Sequence, residues 1–500
     1  MRQEKLETTC AEAAARLVHQ EVSRREFLHG LSGGALALAA GGLLAGCGGG
    51  GNGSQGSATD QPLTLMPASQ RQVAVDAINS AAAMLGGTDP IADGTAIANT
   101  LRSLSQIAAV TQAADGTVFG TFTDGQLYVF NPNDTIAHES SASSAARGAK
   151  PSTQARLITP HGTANETDLP QSTQARVLFG LGAGFGALDH TDTLKSLLTA
   201  GGYTVATGDA TVSGLRSIQG DGVFYFFTHG VDFALHKKSG AVTFGISTSQ
   251  VPAAADEDDR LFLDDLANKR IFYGHSKLGY GQFKYDLVHY NVTNRFVEKY
   301  WKFAPNALIY MSACELLNDG LRNSLGRLNM PCTLAGWDNE VGLTLANRVA
   351  TAVFSGLLGT AGPPIQDAPN ASQPPSAILA ELGSQNLIHD SSLGGTFAFD
   401  LINGSKFAVL SPRLETIKAV GDAPLLTLTG IFGSRQGTVN FTPTGTENQS
   451  PQALAVQTGA WQSAQIVCNL PSTTGTITVS VDGRTSNPIE LSGSGVVTVQ

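Results

Sequence analysis

A chain of 500 residues with 42% hydrophobic side chains holds material for two or three buried cores. Its formal net charge of −10 argues against nucleic acid as a partner, because phosphate binding rests on surplus Lys and Arg. Beyond the leader, no stretch reaches the roughly 18 uninterrupted apolar residues of a membrane span.

The first 46 residues read as an address. A paired-arginine box, Ser23-Arg24-Arg25-Glu26-Phe27-Leu28, precedes a weakly hydrophobic Gly- and Ala-rich stretch and then Leu44-Ala45-Gly46-Cys47. Together these resemble a bacterial twin-arginine signal joined to a lipoprotein cleavage box. That resemblance implies export of a folded chain, a lipid on Cys47, a Gly-rich tether over 47–62, and a place in the cell envelope, at the outer membrane or cell surface.

Residues 63–133 form an accessory or pro-segment. Helical spacing covers Gln70 to Leu85 and Ala96 to Val110, and Thr117 to Phe130 reads as a hairpin turning at Asp124-Gly125. A small, polar linker follows over 134–175, with basic residues Arg147, Lys150 and Arg156 open to proteolysis.

From residue 176 the pattern becomes α/β. Arg176-Val177-Leu178-Phe179 is a strand, Thr193 to Ala200 a helix stopped by Gly201-Gly202, and Tyr203-Thr204-Val205 a second strand. The glycines of Gly180 to Gly186 alternate and do not open a helix directly, so they make a rim loop rather than a dinucleotide fingerprint. Two apolar runs then end in reactive side chains: Asp221 to Phe227 leads into Thr228-His229-Gly230, and Ala307 to Met311 leads into Ser312-Ala313-Cys314-Glu315. Unbroken runs of this kind fit buried parallel strands, whose carboxyl ends carry ligand sites. If the strands are neighbours, His229 and Cys314 share one rim, and an imidazole can serve a thiol there as base.

Between them, Val231 to Pro305 reads as an insertion with a hairpin from Phe233 to Ile246 and a helix from Val292 to Phe303. Its acidic patch, Asp256 to Asp259 with Asp264 and Asp265, is a solvated loop and helix start, with calcium or a basic substrate as the functional alternative. Three cysteines remain after the leader and the anchor. Cys332 and Cys468 sit in apolar runs as inert core thiols, a Cys314–Cys332 disulfide stays open, and no spacing supports a zinc site or any cofactor.

The order of these units resembles the caspase-like cysteine peptidases, closest to the CHAT type with its strand plus His-Gly and strand plus Ser-Ala-Cys-Glu. The helix Gly342 to Leu358 after Trp337-Asp338-Asn339-Glu340 extends the likeness, which spans roughly 174–360. It departs from caspases in the 85 residues separating positions 229 and 314 and in lacking Gln-Ala-Cys-x-Gly. The resemblance implies a mostly parallel sheet flanked by helices over 176–360 and a Cys314/His229 dyad. It also implies an oxyanion hole from the N–H groups of Gly230 and Cys314 and a protein or peptide substrate, with Asp338 or Glu340 meeting a basic side chain.

Residues 361–423 read as connecting material, with a helix near Ile378 to Leu387 and strand-like Thr396 to Ile402 and Lys406 to Leu410. From 424 to 500 the pattern is all-β. Gly430 to Val439, Trp461, Pro471 and Thr485 to Pro488 resemble an IPT/TIG immunoglobulin-like sandwich, implying a separable module that engages a surface or polysaccharide ligand. Two readings therefore stand: a surface-tethered cysteine endopeptidase, or a catalytically idle caspase-like lipoprotein acting as an adhesin or scaffold.

Overall fold

The computed structural model describes residues 65–87, 89–114, 116–132, 167–181, 189–232, 242–253, 260–275, 285, 287–360, 371–420, 423–445, 450–492 and 496–498. The leader, Cys47, the linker bases and Asp256 to Asp259 lie outside them. The architecture is mixed α/β with mixed sheets.

The described chain opens with helices α1 (Ala68–Ala82) and α2 (Pro90–Ser103), then strands β1 (Ile107–Gln112), β2 (Val118–Phe122) and β3 (Leu127–Phe130). Asp89 starts α2 by accepting from the N–H groups of Ile91 and Ala92, with Pro90 at the first helical position. The hairpin turns at Asp124-Gly125, where Gly125 takes a φ of +82°. The second helix ends earlier than its spacing implies. Leu104 turns extended and Ile107 onward pairs with β2, so a ladder replaces the last helical turn.

The α/β core follows in the order β4 (Gln174–Phe179), α3 (Thr191–Ala200), β5 (Thr204–Asp209), α4 (Val212–Arg216), β6 (Gln219–Phe227) and β7 (Gly230–Asp232). Next come β8 (Phe244–Ser247), α5 (Arg260–Ala267), β9 (Ile271–His275), β10 (His289–Thr293), α6 (Asn294–Tyr300) and β11 (Lys302–Ser312). The core closes with α7 (Asp319–Arg327), β12 (Cys332–Trp337), α8 (Leu343–Leu358), α9 (Pro375–Ser384) and β13 (Phe397–Ile402). Six of these strands form one sheet in the order β13-β12-β11-β6-β4-β5, parallel throughout except for β13. Both faces are covered, which is why β6 and β11 read as continuous apolar runs. Tyr225, Phe227 and Tyr310 pack with α3 and α8 through Leu194, Leu198, Val353 and Phe354. On the other face, Phe224, Phe226 and Met311 pack with Leu321 and Leu325 of α7 and with Trp301.

The remaining strands of this part build a second, seven-stranded sheet in the order β1-β2-β3-β9-β10-β8-β7. The accessory segment and the insertion thus share one sheet, because β3 pairs in parallel with β9. Arg71 of α1 locks the joint: its buried guanidinium donates to Asp124 at 3.0 Å and to the Tyr273 hydroxyl at 3.2 Å. The insertion's helix is shorter than its pattern implies, since His289 to Thr293 is ladder and β11 begins at Lys302.

The C-terminal part is a sandwich of β14 (Arg413–Ala419), β15 (Leu425–Ile431), β16 (Thr438–Pro443), β17 (Gln452–Leu454), β18 (Val456–Trp461), β19 (Gln465–Asn469), β20 (Gly475–Val481), β21 (Arg484–Thr485), β22 (Ile489–Leu491) and β23 (Val496–Thr498). One sheet runs β18-β19-β15-β14-β23; the other runs β17-β16-β20-β21, with β22 also on β20. Burial alternates residue by residue along β15 and β20, the signature of strands with one face on a shared core. The segment read as connective is more structural than its composition implies. Phe397 to Ile402 is the sixth strand of the central sheet and Arg413 to Ala419 belongs to the sandwich, whereas Lys406 to Leu410 makes only a bridge from Phe407 to Asp168.

The sandwich is joined to the amino ends of the central strands by buried polar groups. Arg484, 1% exposed, donates to the Pro170 carbonyl at 3.0 Å and the Tyr203 hydroxyl at 3.2 Å, and pairs with Asp482. Asp168 accepts from the Ser434 N–H and hydroxyl and from the Asn306 amide. A seam of this kind does not favour a separable module, because removing one side leaves buried polar groups unsatisfied. Arg484→Met is expected to lower the unfolding free energy by about 2–4 kcal/mol, and a chain ending at residue 422 to lose the cooperative transition of the central sheet, both read by denaturant unfolding.

Candidate functional site

Register sets the site. Along the β6–β11 ladder Phe227 pairs with Ser312, and the Thr228 N–H donates to the Ser312 carbonyl at 3.2 Å. His229 and Cys314 therefore each lie two residues beyond the same rung, at the carboxyl rim of neighbouring parallel strands. The two segments touch. A Cβ placed on Gly230 would lie 2.3 Å from the Cys314 carbonyl oxygen and 2.6 Å from Cγ of Leu316, so only glycine lets them approach.

His229, 8% exposed, is held from the second sheet. Its carbonyl accepts from the Ser247 N–H at 3.0 Å, and the preceding Thr228 hydroxyl donates to the Ser247 carbonyl at 2.6 Å. Ser247 is anchored in turn through its hydroxyl to Asn291 at 2.9 Å, with His289 Nε2 at 3.3 Å. The insertion thus acts as a brace behind the imidazole-bearing turn.

Cys314 is half-buried and packs against the core face that includes Tyr225 and Tyr310. The next residue, Glu315, takes a φ of +60°, a left-handed conformation that bends the chain sharply after the thiol. Its N–H donates to the Asn339 carbonyl at 3.3 Å, the Leu317 N–H to the Trp337 carbonyl at 3.0 Å, and the Asn318 amide to the Glu315 carbonyl at 2.6 Å. The thiol lies 3.9 Å from the Val341 carbonyl, within the reach of a sulfur donor.

Asp338 and Glu340 sit at the same rim, at the end of β12. The Asp338 carboxylate accepts from the Thr396 N–H at 2.7 Å and closes the β12–β13 ladder, while Glu340 bridges to Gly394. Asp338 is thus engaged in the fold. Asp264 and Asp265 of the acidic patch pair with Arg270, and Asp265 also pairs with Arg216. Among the described residues no group of three or more His, Cys, Asp or Glu is placed to hold a metal ion. No described helix is long and apolar enough to cross a membrane.

Two residues near the rim escape a search for strand-ending reactive groups. His190 precedes α3, shares a 2.9 Å hydrogen bond with the Tyr225 hydroxyl, and packs edge-on against Tyr225 and Phe227. Burial pushes the Tyr225 phenol well above its ordinary range, so it stays protonated. Asp390 accepts from the N–H groups of Gly342, Ser392 and Leu393 and from the Ser392 hydroxyl. Despite a burial penalty, these bonds hold its carboxyl below the usual range. The signal for Asp390 was the Asp-Ser-Ser turn itself, and for His190 the start of a helix just past the glycine loop.

The open disulfide is excluded by register. Cys332 pairs with Ala307 at the opposite end of the ladder from Cys314, roughly 20 Å away at about 3.3 Å per residue, against the 7 Å limit for a bridge. Cys332 and Cys468 are buried, and burial pushes each thiol up to about 12. Comparison of the chain with protein-family models, curated proteins and solved structures gives no match.

At pH 8 a thiol titrating near 12 is about one part in 10,000 thiolate. Of Cys314, Cys332 and Cys468, iodoacetamide is accordingly expected to modify only Cys314 in the folded protein and all three after denaturation, as read by peptide mass mapping.

Proposed function

We propose that the chain is an exported, lipid-anchored cysteine endopeptidase of caspase-like, CHAT-type character, with Cys314 as nucleophile and His229 as its acid and base. The observation that carries this is the shared rung Phe227–Ser312, which starts both reactive segments from one rim, with Gly230 against the Cys314 carbonyl. The mostly parallel six-stranded sheet supports the caspase-like reading, and the two-sheet alternation after Arg413 supports the immunoglobulin-like one.

In the proposed reaction the Cys314 thiol gives its proton to His229, and sulfur bonds to the substrate carbonyl carbon while the carbonyl π pair moves to oxygen. The N–H groups of Gly230 and Cys314 are the oxyanion donors in this reading, since charge develops there in the transition state. Collapse breaks the C–N bond as the imidazolium protonates the departing amine. Water, deprotonated by His229, then hydrolyses the thioester and returns the thiol. Asp338 keeps a structural part in this scheme, and Glu340, at the same rim, is proposed to meet a basic substrate side chain.

A peptide-library digest tests the activity. Cys314→Ala and His229→Ala are each expected to lower turnover by at least about 100-fold while retaining the wild-type circular dichroism spectrum. Cleavage that survives Cys314→Ala overturns the enzyme reading, and absence of cleavage in the wild type favours the scaffold.

Location has its own test. Replacing Arg24 and Arg25 with lysine is expected to trap precursor in the cytoplasm, and Cys47→Ala to abolish incorporation of labelled fatty acid. Normal acylation of the Cys47→Ala chain removes the lipoprotein assignment.

A further inference from the structure

The peptide joining Val341 to Gly342 has a hydrogen-bond partner at each end. Its carbonyl faces the Cys314 thiol at 3.9 Å, and its N–H donates to the Asp390 carboxylate at 2.8 Å. Asp390 is 6% exposed and fixed by three further donors from Ser392 and Leu393, so the acceptor cannot turn away. A carboxylate on the N–H end of a peptide draws the bond dipole toward itself and leaves the carbonyl oxygen more negative, since hydrogen bonds in series polarise one another. A more negative oxygen beside a thiol favours S–H over S⁻.

We propose that Asp390 is a positioning residue that acts through the Val341–Gly342 peptide to hold Cys314 as a protonated, resting thiol. The proposal builds on the peptidase reading and supplies a latency device for that same site. Release requires the peptide to shift, and it sits where a shift is transmitted: Gly342 is the N-cap of α8, and the 390–395 turn contacts Glu340, whose carbonyl would lie 2.3 Å from a Cβ on Gly395. A substrate strand or activating contact that displaces the peptide would remove the carbonyl from the thiol and leave His229 to take the proton.

Other charges also bear on the thiol. Among the described residues, Glu315 lies on its own segment, Asp338 and Glu340 at the end of β12, His389 beside Asp390, and His229 across the ladder. The carboxylates raise a thiol's pKa and a protonated imidazole lowers it, so the test must separate the peptide's effect from simple charge. Asp338→Asn supplies that separation: it removes one carboxylate charge at the same rim, but its bond is to Thr396 and not to the Val341–Gly342 peptide.

The experiment is the pH profile of iodoacetamide alkylation at Cys314 in the folded full chain, followed by mass mapping. In the wild type the midpoint is expected at or above the ordinary thiol value of roughly 8.5. In Asp390→Asn the amide cannot accept at both oxygens, and the rate at pH 6 is expected to rise about tenfold, a fall of one pH unit in midpoint. Asp338→Asn is expected to move the profile the same way by much less, since it removes a carboxylate charge at the rim but no bond to the Val341–Gly342 peptide. Ser392→Ala, which removes only the donors' outer member, is expected to move it the same way by less and serves if Asp390→Asn does not fold. A wild-type midpoint well below 8, an unmoved profile in both Asp390→Asn and Ser392→Ala, or equal shifts from Asp338→Asn and Asp390→Asn overturns the proposal. Because the readout is thiol chemistry, a shifted profile in a chain that cleaves no peptide keeps the positioning role and removes only the enzyme.

Discussion

The parallel ladder between β6 and β11 is the constraint on which the rest depends. A register shift of one residue would send Tyr225, Phe227 and Tyr310 to the opposite face, exchanging two packed cores at once. The filled faces therefore hold the rung Phe227–Ser312 in place, and that rung sets where Thr228, His229 and Cys314 leave the sheet. Site geometry here is a by-product of core packing, which needs no stabilising interaction of its own.

The second sheet gives the central one its stiffness at that point. The chain leaves β6, passes through Thr228 and His229, and enters β7 as a strand of the seven-stranded sheet, so the imidazole-bearing turn is the hinge pin between two packed layers. Both layers contribute to a single core in which Phe122 and Phe130 join Phe224 and Phe226. The insertion and the N-terminal segment are then parts of one support, tied by the hydrogen bond from Arg71 to the Tyr273 hydroxyl and the parallel pairing of β3 with β9.

Much of this was legible in sequence, because the strongest signals were local. The apolar runs ending at Thr228-His229-Gly230 and Ser312-Ala313-Cys314 gave the paired strands, and Asp124-Gly125 gave the hairpin turn. What local pattern could not carry was pairing between distant segments. That β3 would meet β9, or that Phe397 to Ile402 would complete the central sheet, depends on which edge remains open once the other strands are placed. For Asp390 the local turn showed only its bonds to Ser392 and Leu393; the bond to the Gly342 N–H, 48 residues earlier, is a pairing that local pattern does not carry. The same holds for Asp338, whose position at a strand end suggested recognition while its carboxylate closes a ladder.

The seam between sandwich and sheet also dictates a timetable. The Pro170 carbonyl waits for a guanidinium 314 positions later, and Asp168 for a hydroxyl 266 positions later. Until Ser434 and Arg484 have been synthesised, those polar groups beneath the amino ends of the central strands lack these partners. Contacts so distant in sequence form late, because the intervening loop must close before they contribute. The rim that carries His229 and Cys314, at the other end of the ladder, thus belongs to a sheet whose far end is sealed only once the strands around Ser434 and Arg484 have docked.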